Sequence, residues 1–219
     1  MPLKVFVLGI PGSGKSTVSR YIVKHINLRR NGWTASRIND YDILLEMFRS
    51  AEHKHRFRST KKYEGFNVHD PRVYVEALEK LEAKVHHSYS SPNDLIILEF
   101  ARNDYQEALK QFKSNFLEGA YIIFLDVDIN TCIQRVSNRI VHPASIDDHF
   151  VSRTIFQHYR NTDPKQYIAT KLLTDIGLDE KMVLIINNRG AETDFEDPII
   201  RFIDSIFEMT GGNIVAARS

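Results

Sequence analysis

Cysteine is nearly absent. Cys132 stands alone among 219 residues, so no internal bridge can form and a secreted disulfide scaffold is excluded. No run approaches the roughly 18–20 apolar residues that span a bilayer, so no membrane partner is expected. An excess of one charge is lacking too. Lys and Arg number 29 against 28 Asp and Glu, a formal net charge of +1. This excludes a protein coated in positive charge to hold nucleic acid, but leaves room for a local basic patch. Internal repeats and low-complexity segments are missing, as is Asn-Lys-x-Asp, the sequence with which GTPases read guanine. The opening residues, Met1 to Leu8, carry a short apolar run without a cleavage-site pattern and pass straight into glycines. They read as a core strand and not a signal peptide, and the expected location is cytoplasmic. A chain of this length can bury a core without disulfides or metals.

What is present is alternation. Val5-Phe6-Val7-Leu8, Thr34 to Ile38, Leu95 to Leu98, Tyr121 to Leu125 and Met182 to Ile186 read as five strands, the first a continuous apolar run as in a strand covered on both faces. Helical stripes lie between them: Val18, Ile22 and Ile26; Ile43, Leu44, Met47 and Phe48; Tyr74, Leu78, Leu81 and Val85; Tyr105, Leu109, Phe112 and Phe116; Cys132, Ile133 and Val136; Ile199, Ile203, Ile206 and Phe207. Asp70-Pro71 and Asp128 supply helix starts, and Gly211-Gly212 a stop. Strand–helix alternation predicts an α/β fold, a three-layer α/β/α arrangement with a five-stranded parallel sheet. One domain over 1–212 is expected, with a flexible tail at 213–219. Residues 51–69 interrupt the alternation as a basic insertion, with Lys54, Arg56, Arg58, Lys61 and Lys62 near His53, His55 and Tyr63. Residues 139–180 form a second interruption, a helical lid insertion without a strand.

Gly9-Ile10-Pro11-Gly12-Ser13-Gly14-Lys15-Ser16 matches G-x-x-x-x-G-K-[ST] at every fixed position, after an apolar strand and before an amphipathic helix. The glycines let the loop turn tightly and approach a phosphate. Its N–H groups and the positive end of the next helix converge on an anion. Lys15 is expected to reach the β- and γ-phosphates and Ser16 to ligate Mg²⁺, with ATP as the nucleotide and GTP left open.

A small phosphotransferase further needs a base, a magnesium-side acid and mobile arginines. Arg37-Ile38-Asn39-Asp40-Tyr41-Asp42 follows the second strand and offers Asp42 or Asp40 as the base; Asp42 alternatively caps the helix that starts at Ile43. Glu99 ends the third strand and Asp126 the fourth. Arg102 is placed to hold a phosphate of the acceptor. Arg135 and Arg139 share a helix face at the start of the lid, and planar guanidiniums suit phosphate clamping. Arg153, Gln157 and Arg160 share another face beyond the polar loop from Val141 to His149. Asn188 and Arg189, in the turn Asn187-Asn188-Arg189-Gly190, are placed to frame adenine. His53-x-His55 and His86-His87 lack the further ligands of a zinc site, and Cys132 falls on an apolar stripe.

With these residues in place the chain resembles the P-loop kinase superfamily of nucleoside, nucleotide and polynucleotide kinases. Gly9 to Thr17, as Gly-x-Pro-Gly-Ser-Gly-Lys-Ser-Thr, is similar to the loop of polynucleotide 5′-hydroxyl kinases. So is Ile38-Asn39-x-x-Asp42, which implies Asp42 as the base and sets Asp40 where that family has Arg. Glu99-Phe100-Ala101-Arg102 resembles the Glu-Arg pair of deoxynucleoside kinases, with two residues between. The kinase arrangement puts the third strand beside the first, which favours Glu99 over Asp126. The resemblance implies a kinase for a nucleoside, nucleotide or similar small acceptor, with Gly9, Pro11, Gly12, Ser13, Gly14, Lys15, Ser16 and Thr17 on the nucleotide, Ser16 and Glu99 on Mg²⁺, and Lys15, Asp42 or Asp40, Arg135 and Arg139 in catalysis. Asp42, Glu99, Arg102 and Arg153 are the acceptor-side candidates. A nucleic-acid 5′-hydroxyl acceptor and a regulator without acceptor are the alternatives, and a homodimer is left open.

Overall fold

The apolar run Leu3–Leu8 is the central strand β1 of a parallel sheet. The computed structural model describes residues 2–60, 65–141, 143, 145, 147–189 and 194–211. Lys61, Lys62 and Tyr63 of the basic segment, His142, Ala144 and Ile146 of the loop after Val141, Gly190, Gly212 and the tail lie outside the described residues. After β1 come α1 (Lys15–Arg29), β2 (Thr34–Asn39) and α2 (Asp40–Arg49). A short hairpin follows, β3 (Phe57–Ser59) and β4 (Phe66–Val68), then α3 (Arg72–Ser88) and β5 (Asp94–Phe100). The chain continues through α4 (Tyr105–Leu109), α5 (Ser114–Leu117), β6 (Tyr121–Asp126), α6 (Ile129–Arg139), α7 (Arg153–Arg160), α8 (Pro164–Thr170), α9 (Leu172–Ile176), β7 (Val183–Asn187) and α10 (Glu196–Met209).

The sheet order is β2-β5-β1-β6-β7, all parallel. The three inner strands β5, β1 and β6 bury side chains on both faces, since successive side chains alternate sides. Phe6, Leu8, Ile96, Leu98, Ile122 and Phe124 point to one face, where α2, α3, α4, α5, α8 and α9 pack. Val5, Val7, Leu95, Ile97, Ile123 and Leu125 point to the other, against α1 and α10. Phe6 meets the rings of Phe100, Phe112 and Phe116 edge-on. A third, smaller cluster of Ile10, Val127, Cys132, Val136, Phe156 and Tyr159 joins the phosphate-loop region to α6 and α7. Cys132 is core, and burial pushes its thiol up to about 12. The predicted three-layer α/β/α fold is the fold observed, and β5 does lie beside β1.

Three local expectations differ from the structure. The stripe from Tyr105 to Phe116 is buried throughout, but it is carried by two short helices rather than one. Asp104 caps the first helix through the Glu107 N–H, and the Lys113 N–H between the helices is taken by Glu82. The second correction concerns α2, which starts at Asp40 and not Ile43, because the Asn39 side chain accepts the Tyr41 N–H at 2.8 Å. Asn39, not Asp42, is therefore the cap. Finally, the basic interruption contains the β3–β4 hairpin, whose three-residue strands pair antiparallel from Phe57↔Val68 to Ser59↔Phe66. Strands that short leave no readable periodicity. No helix among the described residues is long and apolar enough to cross a membrane.

Candidate active site

The register brings Asn39 beside Glu99 and Asp126 beside Asn187, so the carboxyl ends of the strands line one edge. Ligands bind at this edge in open α/β sheets. A cleft of about 1120 Å³ opens there.

The turn between β1 and α1 forms one wall. Gly12 and Gly14 have φ of 86° and 97°, in the left-handed region that disfavours side chains. A Cβ on Gly12 would sit 2.5 Å from the Cys132 carbonyl oxygen, and one on Gly14 would sit 2.6 Å from Asn188 Nδ2. The loop is thus pressed against α6 and the turn after β7. Asn188 donates to the Ser13 carbonyl at 2.8 Å, Arg135 donates to the Asn188 carbonyl at 3.1 Å, and the Gly9 N–H donates to the Tyr105 hydroxyl at 2.7 Å. α1 begins at Lys15 with no side-chain cap and no acid in its first turn. Its opening N–H groups are left for an anion. Lys15 is buried and donates to the Ile10 carbonyl at 3.1 Å. Burial lowers its pKa, while the charges of Glu99 and Asp40 pull it back up.

On the magnesium side, the Ser16 hydroxyl donates to Glu99 Oε1 at 2.7 Å. A hydroxyl and a carboxylate are the hard oxygens Mg²⁺ takes from protein, the rest coming from phosphate and water, so the donor set fits the ion. Arg37 also stands there. It donates to Glu99 Oε2 at 2.8 Å and to the Ser16 hydroxyl at 3.1 Å, and reaches Asp147 through two bonds at 2.6 and 3.0 Å. Arg20 closes on the same Asp147 carboxylate. Burial works against the Arg37 charge, but Glu99 and Asp147 outweigh it and raise its pKa. Burial likewise opposes ionisation of Asp147, yet Arg37 and Arg20 hold it below the ordinary Asp range.

Opposite the loop, Asp40 is buried and accepts from Arg102 at 2.5 Å. Arg102 also donates to the Tyr74 carbonyl at 3.0 Å and lies over the Tyr74 ring. Burial raises the Asp40 pKa, and Arg102 only partly offsets it. Asp40, Arg102 and Tyr74 line the cleft. Asp42 is half-buried and does not line it. Beyond Asp40, Tyr41 stacks on His149 at 3.5 Å between centroids and 8° between planes, and on Phe66 at 5.6 Å and 6°.

Arg135 and Arg139 both line the cleft, and Arg139 Nε is buried without a hydrogen-bond partner. Arg153 is exposed on α7 and does not line the cleft; Arg189 is exposed beside Asn188, which does line it. Pro11, Gly12, Gly14, Lys15, Ser16, Thr17 and Glu99 all face the cleft, whereas Ser13 lies fully buried behind it. Among the described residues no group of three or more His, Cys, Asp or Glu is arranged to hold a metal ion. Sequence reading passed over Arg37, Asp147, Tyr105 and the Tyr41–His149–Phe66 stack. Arg37 carried a signal, because it alternates with Ala35 onto the sheet face that α1 covers. Asp147 carried none.

A glycine-rich phosphate loop at the carboxyl edge, with strand order β2-β5-β1-β6-β7 around it, defines a P-loop domain of the kinase fold. The family described as AAA domain matches residues 5–157, and the chain belongs to it; the resemblance to the P-loop kinase superfamily stands. Among solved structures, Kti12 of Chaetomium thermophilum in complex with ADP-AlF3 is similar at a TM-score of 0.60 and 17% identity, covering 93% of this chain and 98% of that one. A putative kinase from Chloroflexus aurantiacus has a TM-score of 0.59 and 15% identity over 93% and 97%. A gluconokinase from Sinorhizobium meliloti has 0.56 and 13% over 96% of both chains. At these identities the fold is what is shared. A search of curated protein sequences finds no match.

Proposed function

We propose that this protein is an ATP-dependent phosphotransferase that moves the γ-phosphate to a hydroxyl or phosphate of a nucleoside, nucleotide or similar small molecule. The observation that carries the reading is that Lys15 and Asp40 line one cleft, the first on the phosphate loop and the second at the start of α2. The acceptor oxygen attacks the γ-phosphorus, a new P–O bond forms, the bond to the β-phosphate bridging oxygen breaks, and ADP leaves. With a hydroxyl acceptor the proton passes to the Asp40 carboxylate. Its raised pKa makes it a stronger base than an ordinary Asp, and Arg102 positions it. Lys15 and the loop amides grip the β- and γ-phosphates. Ser16 and Glu99 would hold Mg²⁺, which when bound neutralises charge across the phosphate oxygens. Arg135 and Arg139 stabilise the charge that develops in transfer.

Asp40 is preferred to Asp42 as the base because only Asp40 lines the cleft. The polynucleotide alternative is weakened at Arg56, whose charge is already taken by Asp70 and Glu76. The test is ATP consumption across a panel of nucleosides, nucleotides and polyols, with product analysis. An acceptor-dependent rate that vanishes in Asp40→Asn supports the reading. Turnover that ignores every acceptor rejects the reading, and hydroxyl phosphorylation that survives this substitution unchanged rejects Asp40 as the base.

A further inference from the structure

Arg37 has no part in the mechanism above, yet its guanidinium makes four hydrogen bonds beside the cleft. Its guanidinium spends one donor on Glu99 Oε2, and one nitrogen serves both the Ser16 hydroxyl and Asp147. The other Glu99 oxygen is occupied by Ser16. Both Glu99 carboxylate oxygens and the Ser16 hydroxyl are therefore already hydrogen-bonded, and Arg37 bonds two of these three atoms. An ion at the roughly 2.0–2.1 Å that Mg²⁺ demands from Ser16 and Glu99 would also stand beside a fixed positive charge at contact distance, in a site shielded from solvent.

Glu99 and Asp147 already face fixed cations: Arg37 and Arg20 pair with them, and the charges of Lys15 and Arg139 act on them as well. The geometry also supplies a place for Arg37 to retreat. Asp147 accepts two of its hydrogen bonds and lies in the segment between α6 and α7, whereas Glu99 sits on β5 of the rigid sheet. Breaking the Glu99 and Ser16 contacts leaves Arg37 held by Asp147 alone.

We propose that Arg37 is a resident cation on the magnesium side of the cleft, and that a divalent ion takes Ser16 and Glu99 only when the guanidinium leaves them. The inference rests on the nucleotide-binding reading above. Arg37 is then a positioning residue that sets how much Mg²⁺ nucleotide binding requires, with Asp147 holding it when it leaves Glu99. By linkage, removing the guanidinium makes the site take the ion more readily.

The experiment is a titration of fluorescent ATP analogue binding against Mg²⁺ concentration, from EDTA upward. It compares the wild type, Arg37→Met, and the charge-matched Arg37→Met/Asp147→Asn, whose melting curves report folding. The expected result is a Mg²⁺ half-saturation point about tenfold lower in both variants. A half-saturation point unchanged or raised in the charge-matched variant overturns the inference while leaving the functional reading intact. A wild type that binds no nucleotide at any Mg²⁺ concentration overturns the functional reading, and this inference with it.

Discussion

Arg102 Nη1 lies 2.5 Å from Asp40 Oδ2, and the two side chains face the cleft that Lys15 also lines. Burial holds the Asp40 pKa above the ordinary carboxylate value, and Arg102 beside it only partly offsets that. If Asp40 is the base, Asp40→Asn lowers kcat by about 10²- to 10⁴-fold and leaves nucleotide binding near wild type. Asp42→Asn stays within a few-fold in both. The working form of Asp40 is the ionised one, so kcat/KM falls as pH drops through a pKa that burial raises above the ordinary Asp value. A pH–rate profile of wild type and Asp42→Asn is expected to show this same acid limb.

The choice between these two aspartates shows what the chain disclosed and what it withheld. The spacing Ile38-Asn39-x-x-Asp42 pointed to Asp42 through resemblance alone. In the structure α2 begins at Asp40, so Asp40 emerges at the strand end facing the loop. Asp42, two residues on, is turned about 200° round the helix. A one-turn difference in where a helix starts is below what periodicity resolves. The sheet was legible because Val5, Phe6, Val7 and Leu8 are buried on both faces, which leaves a continuous apolar run. The loop was legible because glycine and lysine chemistry is local. Asp147 was not, since its partners Arg20, Arg37 and Asn39 lie more than a hundred residues away and only the folded sheet edge brings them together.

Lys15 tests the phosphate grip directly. Among the described residues its ammonium donates to the Ile10 carbonyl alone, and it is buried at the cleft wall. A charge-assisted hydrogen bond contributes about 1.5–3 kcal/mol, so Lys15→Ala weakens ATP binding by about ten- to a hundredfold. The fold survives, because removing a buried cation also removes its desolvation cost. Calorimetric titration with ATP and Mg²⁺ measures the loss. Affinity equal to wild type would remove the phosphate loop from the binding site.

Asp147 gives a stability prediction with a pH sign. Its folded pKa lies below its unfolded one, because Arg37 and Arg20 overcome the cost of burial. The contribution is fully present above the unfolded value and is lost as pH falls through the lower, folded value. Asp147→Asn leaves Arg37 with fewer partners and destabilises by about 3 kcal/mol at pH 7. The gap between variant and wild type narrows below about pH 4. Urea melts at pH 7 and at pH 3 read both terms. A gap of equal size at the two pH values would mean that the carboxylate is not held ionised by its arginine partners.

Gly12 separates backbone strain from close packing. Its φ of 86° alone costs a residue with a Cβ about 1–2 kcal/mol. A Cβ there also meets the Cys132 carbonyl oxygen at 2.5 Å. That carbonyl belongs to α6, where the Cys132 N–H is itself bonded to Asp128, so it yields little. Gly32 has a similar φ of 80°, but nothing lies within 4 Å of its Cβ position. Gly32→Ala therefore carries the strain and not the collision. It is expected to lower Tm by a few degrees, about what 1 kcal/mol does in a chain of this size, and to bind ATP as wild type does. Gly12→Ala is expected to lower Tm further and to weaken ATP binding at least about tenfold, since the loop must draw back from α6 and its amides lose their convergence on the phosphates. Equal ATP affinity in the two variants would show that contact with α6 does not shape the phosphate loop.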